Sequence, residues 1–308
     1  MNAQKPVPIR AIIFFLILLF CLSGVNCIPM HPLFPQGPGI RLLTPDLGLH
    51  GCPSWSPDGT RIAFCSAPLP RGSDPPEIYT MDTQGGNRVR LTDNSYWDIA
   101  PIWSPKGDRI VFVSNRDGAF AIYTMNPDGS DVVRLVEGDS PAWSPDGEKI
   151  AFRVGDEETA EIYIWERGHV TQLTSDKYYD AYPCWSPDGR QIVFTSKREG
   201  WYQLYVMNAD GSEQRPLTSG PDRCIEPAWS PDGRWIVFRR EPPLDSGRGV
   251  SVELLDLRTG QTRVLLNEPL CHSFAWSPDG KRLAFIVGGD ASDIYVIDVA
   301  TVLGTPFP

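Results

Sequence analysis

The chain has 308 residues, of which 28 are Lys or Arg and 38 are Asp or Glu, so its formal net charge is −10. This acidic balance argues against nucleic acid or an anionic membrane surface as a principal partner, because binding to phosphate groups needs a positively charged face. The length is ordinary for one large β domain.

The first 27 residues have the layout of an export signal. Lys5 and Arg10 precede an apolar run from Ala11 to Leu22, the order of charge and hydrophobicity found in secretory signal peptides. This run is shorter than the roughly 20 residues that a membrane-spanning helix needs, so we expect a cleaved signal. An uncleaved anchor, with the run extended through Val25, and a lipoprotein acylated at Cys27 are the alternatives.

Residues 28–38 follow the signal and contain Pro29, Pro32, Pro35 and Pro38. Proline at this density favours an extended and fairly stiff conformation. We therefore predict a tether that holds an exported domain in the periplasm, at the cell surface or outside the cell. Membrane contact is expected only through this N-terminal region.

The pentapeptide Trp-Ser-Pro-Asp-Gly, or a one-residue variant of it, occurs six times in the rest of the chain. Successive copies are separated by 48, 40, 42, 44 and 47 residues, a spacing typical of one four-stranded blade of a β-propeller. Only the second copy departs from the pattern, with Lys106 in place of Asp. The copies begin at Trp55, Trp103, Trp143, Trp185, Trp229 and Trp276.

Each repeat reads as four short strands joined by turns. In the first copy, Ser56-Pro57-Asp58-Gly59 has the residue preferences of a type I turn. The β-branched and aromatic runs 61–64 and 77–81 follow it and predict two buried strands. Residues 89–92 then form the closing strand of the blade.

The sixth repeat ends after its third strand, at residues 293–298, while residues 39–44 have the closing-strand pattern and no blade of their own. Pairing these two segments would complete a ring and leave no exposed sheet edge. The predicted fold is therefore all-β: a six-bladed β-propeller of four-stranded antiparallel blades, closed by the N-terminal strand. It would span residues 39–299 of a monomer, followed by a C-terminal tail at 300–308.

The repeated Trp-Ser-Pro-Asp-Gly turn, the Ile-Tyr-x-Met-Asn strand end and the Asp-Gly-Ser turn together resemble the TolB-type propeller repeat, a relative of the WD repeat. The resemblance covers about residues 40–299. The resemblance implies a propeller. The sequence differs from TolB on the N-terminal side of that propeller. TolB carries an α/β domain ahead of its propeller, and here a short connector fills that space.

Five cysteines lie beyond the signal, and two of them occupy equivalent places. Cys224 and Cys271 each stand five residues before the tryptophan of their repeat. In an oxidising compartment they could form a disulfide if their Cα atoms came within about 7 Å. The pattern leaves the pairing open, and Cys65, on a predicted strand, is interpreted as a small buried residue.

One end of the predicted ring carries long, individual loops. The D-to-A and B-to-C connections vary in length and sequence, whereas the turns at the other end repeat, and variable loops on a rigid scaffold are where binding is usually found. Trp97, Tyr179 and Trp201 lie in these loops. Exposed together, such rings would form a contact surface for a peptide or a glycan.

A second group of candidates stands just ahead of the innermost strands. His50, Asp98 and Asp180 lie five residues before their tryptophans, Asp139 and His272 four before, and Glu226 three before. At the mouth of a central channel these carboxylates could hold Ca²⁺, or they could simply cap backbone amides. His50 and His272, in adjacent blades across the closure, could serve a transition metal or a general base.

The sequence thus predicts a non-catalytic binding platform for a protein or cell-envelope ligand on the loop-rich face. No catalytic residue and no cofactor are expected, with Ca²⁺ in the channel as an alternative. The competing hypothesis is an extracytoplasmic carbohydrate-active hydrolase or lyase with its site in the central channel.

Overall fold

A computed structural model of the chain describes residues 38–46, 48–68, 74–156, 158–288 and 291–304. The predicted signal or anchor at 1–27 and all but the last residue of the predicted tether at 28–38 lie outside the described residues, as do residues 305–308. Within the described part, every helix is too short to cross a bilayer.

The described residues contain twenty-four β-strands and one α-helix. The first nine strands are β1 (Ile40–Leu42), β2 (Gly48–Trp55), β3 (Arg61–Pro68), β4 (Glu77–Asp82), β5 (Val89–Arg90), β6 (Asp98–Trp103), β7 (Ile110–Asp117), β8 (Ala119–Met125) and β9 (Val133–Glu137). The next eight are β10 (Asp139–Trp143), β11 (Lys149–Val154), β12 (Glu161–Glu166), β13 (His169–Gln172), β14 (Asp180–Trp185), β15 (Gln191–Ser196), β16 (Gln203–Asn208) and β17 (Arg215–Pro216).

The last seven strands are β18 (Arg223–Trp229), β19 (Trp235–Glu241), β20 (Ser251–Asp256), β21 (Thr262–Leu266), β22 (Cys271–Trp276), β23 (Arg282–Gly288) and β24 (Ser292–Asp298). A 3-10 helix covers Leu244–Ser246, and α1 covers Val299–Leu303.

The strands form four-stranded antiparallel sheets in chain order, as predicted. Four of these sheets are β6-β7-β8-β9, β10-β11-β12-β13, β14-β15-β16-β17 and β18-β19-β20-β21. The remaining strands form one larger sheet, in which β22-β23-β24 and β2-β3-β4-β5 are joined by a single parallel pair, Leu49 with Ser292. β1 pairs antiparallel with β24, with Ile40 opposite Ile297. The prediction of an all-β fold is confirmed.

The tryptophan that opens each repeat packs into the sheet before its own. Trp103 shares a buried cluster with Ala63 and Ile78 of the preceding sheet. Trp55, in the first repeat, shares a cluster with Ala284 and Val296 of the last. Because truncating a buried ring of this size costs about 3–5 kcal/mol, these contacts are a main source of cohesion between sheets.

The Trp-Ser-Pro-Asp-Gly segment forms the turn that its residues predict. The N–H of Gly59 donates to the carbonyl of Ser56 across 2.8 Å, and Gly59 has a φ of 69°, in the left-handed region that glycine adopts without strain. The Ser56 hydroxyl donates to Asp58 Oδ1 across 2.5 Å and accepts the N–H of Arg61 across 2.9 Å. The side chains therefore fasten both sides of the turn.

The second copy keeps this turn although Lys106 replaces the aspartate. The Ser104 hydroxyl donates to Asp108 instead, two residues further along, across 2.7 Å. Lys106 is free to pair with Glu148 of the next repeat, with 2.5 Å between Nζ and Oε1. The exception in the sequence is thus compensated locally.

The structure bears on two points that the sequence raised. Cys224 and Cys271 are both buried free thiols, so no disulfide joins them. The predicted boundary between propeller and tail falls inside α1, whose first residue, Val299, is buried in the core of the last sheet. Asp298 caps this helix by accepting the N–H of Thr301 across 2.8 Å.

Candidate functional site

A cavity of about 960 Å³ lies among the first strands of all six repeats, and we call it the inner-strand cavity. Its walls are mostly apolar. They include Trp55, Trp103, Trp143, Trp185, Phe274, Pro53, Pro101, Pro141, Pro183 and Pro227. A concave, largely apolar space of this volume is typical of sites that enclose a ligand, with a few polar groups setting its orientation.

Each first strand contains a β-bulge at the same place, facing this cavity. The pairing of β2 with β3 shifts register between Gly51 and Ser54, and the other five first strands shift at the equivalent residues. The residue three before each tryptophan has a left-handed backbone, with φ between 50° and 56°. These six residues, the bulge ring, are Cys52, Ala100, Ser140, Tyr182, Glu226 and Ser273, and all line the cavity.

The bulge ring is a strained and repeated feature. Side-chain-bearing residues rarely adopt a positive φ, and such strain persists where the surrounding structure enforces it, often at functional sites. Of its six members, only Glu226 was among the predicted site residues. The sequence nevertheless carries a signal for four of the other five. In five repeats, proline stands two residues before the tryptophan, and proline inside a strand marks a bulge.

Glu226 is the acidic member of the bulge ring. Its Oε2 accepts the N–H of Ser273 in the next repeat across 2.8 Å, and its Oε1 has no hydrogen-bond partner among the described residues. Burial raises the pKa of Glu226, with Arg239 and the Ser273 N–H acting in the opposite direction. The nearby positive charge and the single hydrogen bond therefore do not fully offset the cost of burying this carboxylate.

The two predicted histidines also line the inner-strand cavity. Burial, followed by the positive charge of Arg239, lowers the pKa of His272 to about 3, so this imidazole is neutral at physiological pH. Its Nδ1 lies 3.3 Å from the Ser273 hydroxyl. Burial also lowers the pKa of His50, whose Nε2 lies 3.6 Å from an oxygen of Asp46.

Asp98 and Asp180 do not line the cavity, which corrects their predicted place at a channel mouth. Both are fully buried, and each pairs with an arginine, Arg116 near the end of β7 or Arg198 just after the end of β15. Arg116 donates to Asp98 across 2.9 Å, and Arg198 donates to Asp180 across 2.8 Å. The Arg116 guanidinium also lies over the ring of Phe112, 5.3 Å from its centroid. Each pair thus joins the start of a first strand to the end of the second strand or to the residues just after it.

Asp139 plays a similar part in the third repeat. Its Oδ2 lies 3.0 Å from an Nη of Arg153, and burial raises the pKa of Asp139. It too is absent from the cavity wall. Of the six predicted channel residues, the structure places only His50, Glu226 and His272 in the inner-strand cavity.

One group of side chains in the described residues has metal-ligand spacing. Glu161, Asp176 and Asp180 place ligand oxygens within 4.8 Å of one another. Arg198 already pairs with two of them, at 2.7 Å from Asp176 and 2.8 Å from Asp180. The Arg198 guanidinium thus already supplies positive charge to this acidic group, as a bound metal ion would.

The loop aromatics divide into exposed and buried rings. Trp201 is exposed, as are Tyr96 and Tyr178, and Trp97 lines the inner-strand cavity. Tyr179 is buried, which contradicts its predicted role on the surface. Because the strands of each sheet are antiparallel, the connections that carry the exposed rings lie at the same end of the sheets.

Comparison with known proteins agrees with the fold described above. Residues 40–140 and 136–243 match the family described as the TolB beta propeller domain. TolB from Acinetobacter baumannii is 23% identical with a TM-score of 0.66, over 78% of this chain and 64% of that one. The chain thus spans less than two thirds of the length of that protein.

Two further solved structures are similar. A putative TolB from Agrobacterium tumefaciens is 24% identical with a TM-score of 0.66, over 84% of this chain and 96% of that one. An oligogalacturonate lyase in complex with manganese is 15% identical with a TM-score of 0.62, over 86% and 94%. At these identities the likeness shows the fold and leaves the choice between binding and catalysis open.

Proposed function

We propose, since the chain belongs to the TolB β-propeller domain family, that it is an exported binding platform for a protein or cell-envelope ligand. The observation that carries this proposal is the inner-strand cavity together with the exposed rings at the loop-bearing end. Apolar pockets next to exposed aromatic side chains are typical of interaction sites.

The platform rests on six blades closed into one ring, with the inner-strand cavity as its channel. Three contacts support closure: β1 pairs with β24, Trp55 packs against the last repeat, and β2 contacts β22 as well as β6. Deletion of residues 38–44 would expose the edge of β24. We expect the shortened protein to lose thermal stability and to aggregate, and unchanged behaviour would contradict closure.

The export step is tested separately from binding. The N-terminal signal pattern supports a location outside the cytoplasm. Cell fractionation together with N-terminal sequencing of the mature protein would locate it. We expect a new N-terminus near residue 28. Recovery of the full chain from the cytoplasm would contradict export.

The docking face is tested by site-specific crosslinking in cells. A photoreactive phenylalanine analogue replaces Tyr178 at the loop-bearing end, and in a matched control it replaces Val170, an exposed residue of β13. We expect one specific protein adduct from position 178 and none from position 170. The purified partner should then bind the double variant Tyr178→Ala and Trp201→Ala at least about tenfold more weakly. Adducts from position 170 alone would overturn the proposal.

A carbohydrate-active enzyme is the second candidate, because the inner-strand cavity holds Glu226, Tyr182 and His272 and a lyase shares the fold. Incubation with oligogalacturonate and manganese, followed by ultraviolet detection of an unsaturated product, tests it. If the candidate is right, His272→Ala abolishes turnover and Val170→Ala does not. Turnover that survives His272→Ala would exclude this residue from the reaction.

A further inference from the structure

The inner-strand cavity has an uneven charge distribution. Among the described residues that line it, the acidic ones are Asp74 and Glu226, and lysine and arginine are absent. His272, with its pKa lowered to about 3, adds no positive charge at neutral pH. A ligand entering this space therefore meets apolar walls and negative charge.

The basic side chains closest to Glu226 are engaged elsewhere. Arg239 pairs with Glu241 across 2.9 Å and donates to the carbonyl of Pro269 across 3.1 Å. Arg223 pairs with the other oxygen of Glu241 across 2.6 Å. Neither side chain forms a salt bridge with Glu226 within the described residues, so the protein supplies this carboxylate with a single backbone donor.

Glu226 is also held in a fixed position. Its backbone has a φ of 56° in the bulge, and its Oε2 is tied to the N–H of Ser273. Tyr182 occupies the equivalent bulge position of the preceding repeat. Burial raises the pKa of Tyr182, and Tyr179 and the negative charge of Glu226 add to the rise. Both residues line the same cavity, and a carboxylate and an aromatic ring each attract a cation.

We infer that Glu226 anchors a cationic group, an ammonium or a guanidinium, presented on an apolar segment of a protein partner that enters the inner-strand cavity. This inference rests on the proposed binding function and names the chemistry of the ligand. Oε1 of Glu226 accepts a hydrogen bond from the cation, and the proline and tryptophan walls contact the apolar part of the segment.

The test uses two small probes of nearly equal shape, phenylbutylamine and phenylbutanol, with the full mature protein. The first carries an ammonium and the second a neutral hydroxyl. Binding is measured by calorimetry at neutral pH and low salt and by the fluorescence of the tryptophans that line the cavity. For the wild-type protein we expect the amine to bind at least about tenfold more tightly, the effect of one charge-assisted hydrogen bond.

The decisive variant is Glu226→Gln, because the amide oxygen can still accept the Ser273 N–H while the charge is lost. The Glu226→Gln variant should bind the two probes about equally well. Asp74 is a second carboxylate in the wall of the same cavity, and the control variant Asp74→Asn should keep the preference for the amine. Circular dichroism checks that both variants fold. An amine preference that survives in Glu226→Gln, or that disappears only in Asp74→Asn, would overturn the inference.

The probes also separate this inference from the proposed function. If both probes bind the wild-type protein equally well, the cavity is a ligand site and the cation anchor is wrong. If neither probe binds, the cavity is not a ligand site for either of them, and its part in the proposed function fails together with the anchor.

Discussion

Tyr178 and Tyr179 are neighbours in the chain, yet 46% of the Tyr178 surface is exposed and only 1% of the Tyr179 surface. The Tyr179 hydroxyl accepts a hydrogen bond from Arg153 across 3.1 Å, and its ring packs edge-on against Tyr202, with the centroids 5.4 Å apart. Tyr178 points to solvent at the loop-bearing end. One of the two rings is available to a partner, and the other belongs to the core.

Alanine at these two positions should therefore have opposite effects. We expect Tyr179→Ala to lower the free energy of unfolding by about 3–5 kcal/mol, the cost of removing a large buried ring. Tyr178→Ala should stay within about 0.5 kcal/mol of the wild-type protein. Urea denaturation followed by fluorescence measures both. Equal losses would mean that Tyr178 also packs into the fold.

The charge of Glu226 should make stability depend on pH. Because burial raises its pKa in the folded protein, the protonated form is favoured there, and the contribution of this group to stability is lost as pH rises above the unfolded value of about 4.5. The Glu226→Gln variant has no carboxyl group here to ionise, so it does not lose this stability as the pH rises, and its amide oxygen can still accept the Ser273 N–H. We expect the variant to gain stability relative to the wild-type protein between pH 4 and pH 7.

Urea denaturation across this pH range makes that comparison. Glu226→Ala serves as the contrast, because it also leaves the Ser273 N–H without its partner and should be less stable than Glu226→Gln by about 1–3 kcal/mol. A constant difference between Glu226→Gln and the wild-type protein at all pH values would show that the pKa of this carboxyl is not raised.

Asp180 should titrate well above an ordinary aspartate. Burial raises its pKa from 3.8 to about 6, although Ser196 and Arg198 act in the opposite direction and Asp176 adds to the rise. Stability contributed by the proton is therefore present at low pH and is lost as pH rises from about 4 to about 6.

Carboxyl-carbon NMR of aspartate-labelled protein tests this value. We expect one resonance with a midpoint near 6 that is missing in Asp180→Asn and moves to lower pH in Asp176→Asn, because a neighbouring negative charge has been removed. A midpoint near 4 in the wild-type protein would mean that the pair with Arg198 outweighs the burial.

The tryptophans that open the fifth and sixth repeats differ in the hydrogen bond that their indoles make. The Trp276 indole N–H donates to Ala228 of the preceding repeat across 3.2 Å, whereas the Trp229 indole donates to Gly233 of its own turn across 3.1 Å. A cavity of about 480 Å³ lies beside Trp229 and Pro187. Trp229 thus lacks the hydrogen bond to the preceding repeat that Trp276 makes.

Phenylalanine at the two positions should reveal the difference. We expect Trp276→Phe to lower the free energy of unfolding by about 1–3 kcal/mol more than Trp229→Phe, because only the first removes a hydrogen bond between repeats from a buried site. Chemical denaturation monitored by circular dichroism gives both values. A larger loss for Trp229→Phe would show that the hydrogen bond from Trp276 does not decide the difference.

The sequence alone determined the repeat, its strands and its turns. Strand and turn formation depends on residues a few positions apart, so the tryptophan spacing and the turn residues Ser56 to Gly59 were sufficient to predict them. The turn forms even in the second copy, where Lys106 replaces the aspartate, because Asp108 accepts the hydrogen bond from the Ser104 hydroxyl instead.

Only the tertiary structure decided which side chains face the inner-strand cavity. Asp98, Asp180 and Glu226 looked alike as acidic residues ahead of a strand. Arg116 and Arg198 pair with the first two, whereas the third lies in a bulge that faces the cavity. Which way a side chain faces depends on the neighbours that the folded chain brings beside it, and these two arginines lie 18 residues from their aspartates in the sequence. Local sequence cannot specify that arrangement.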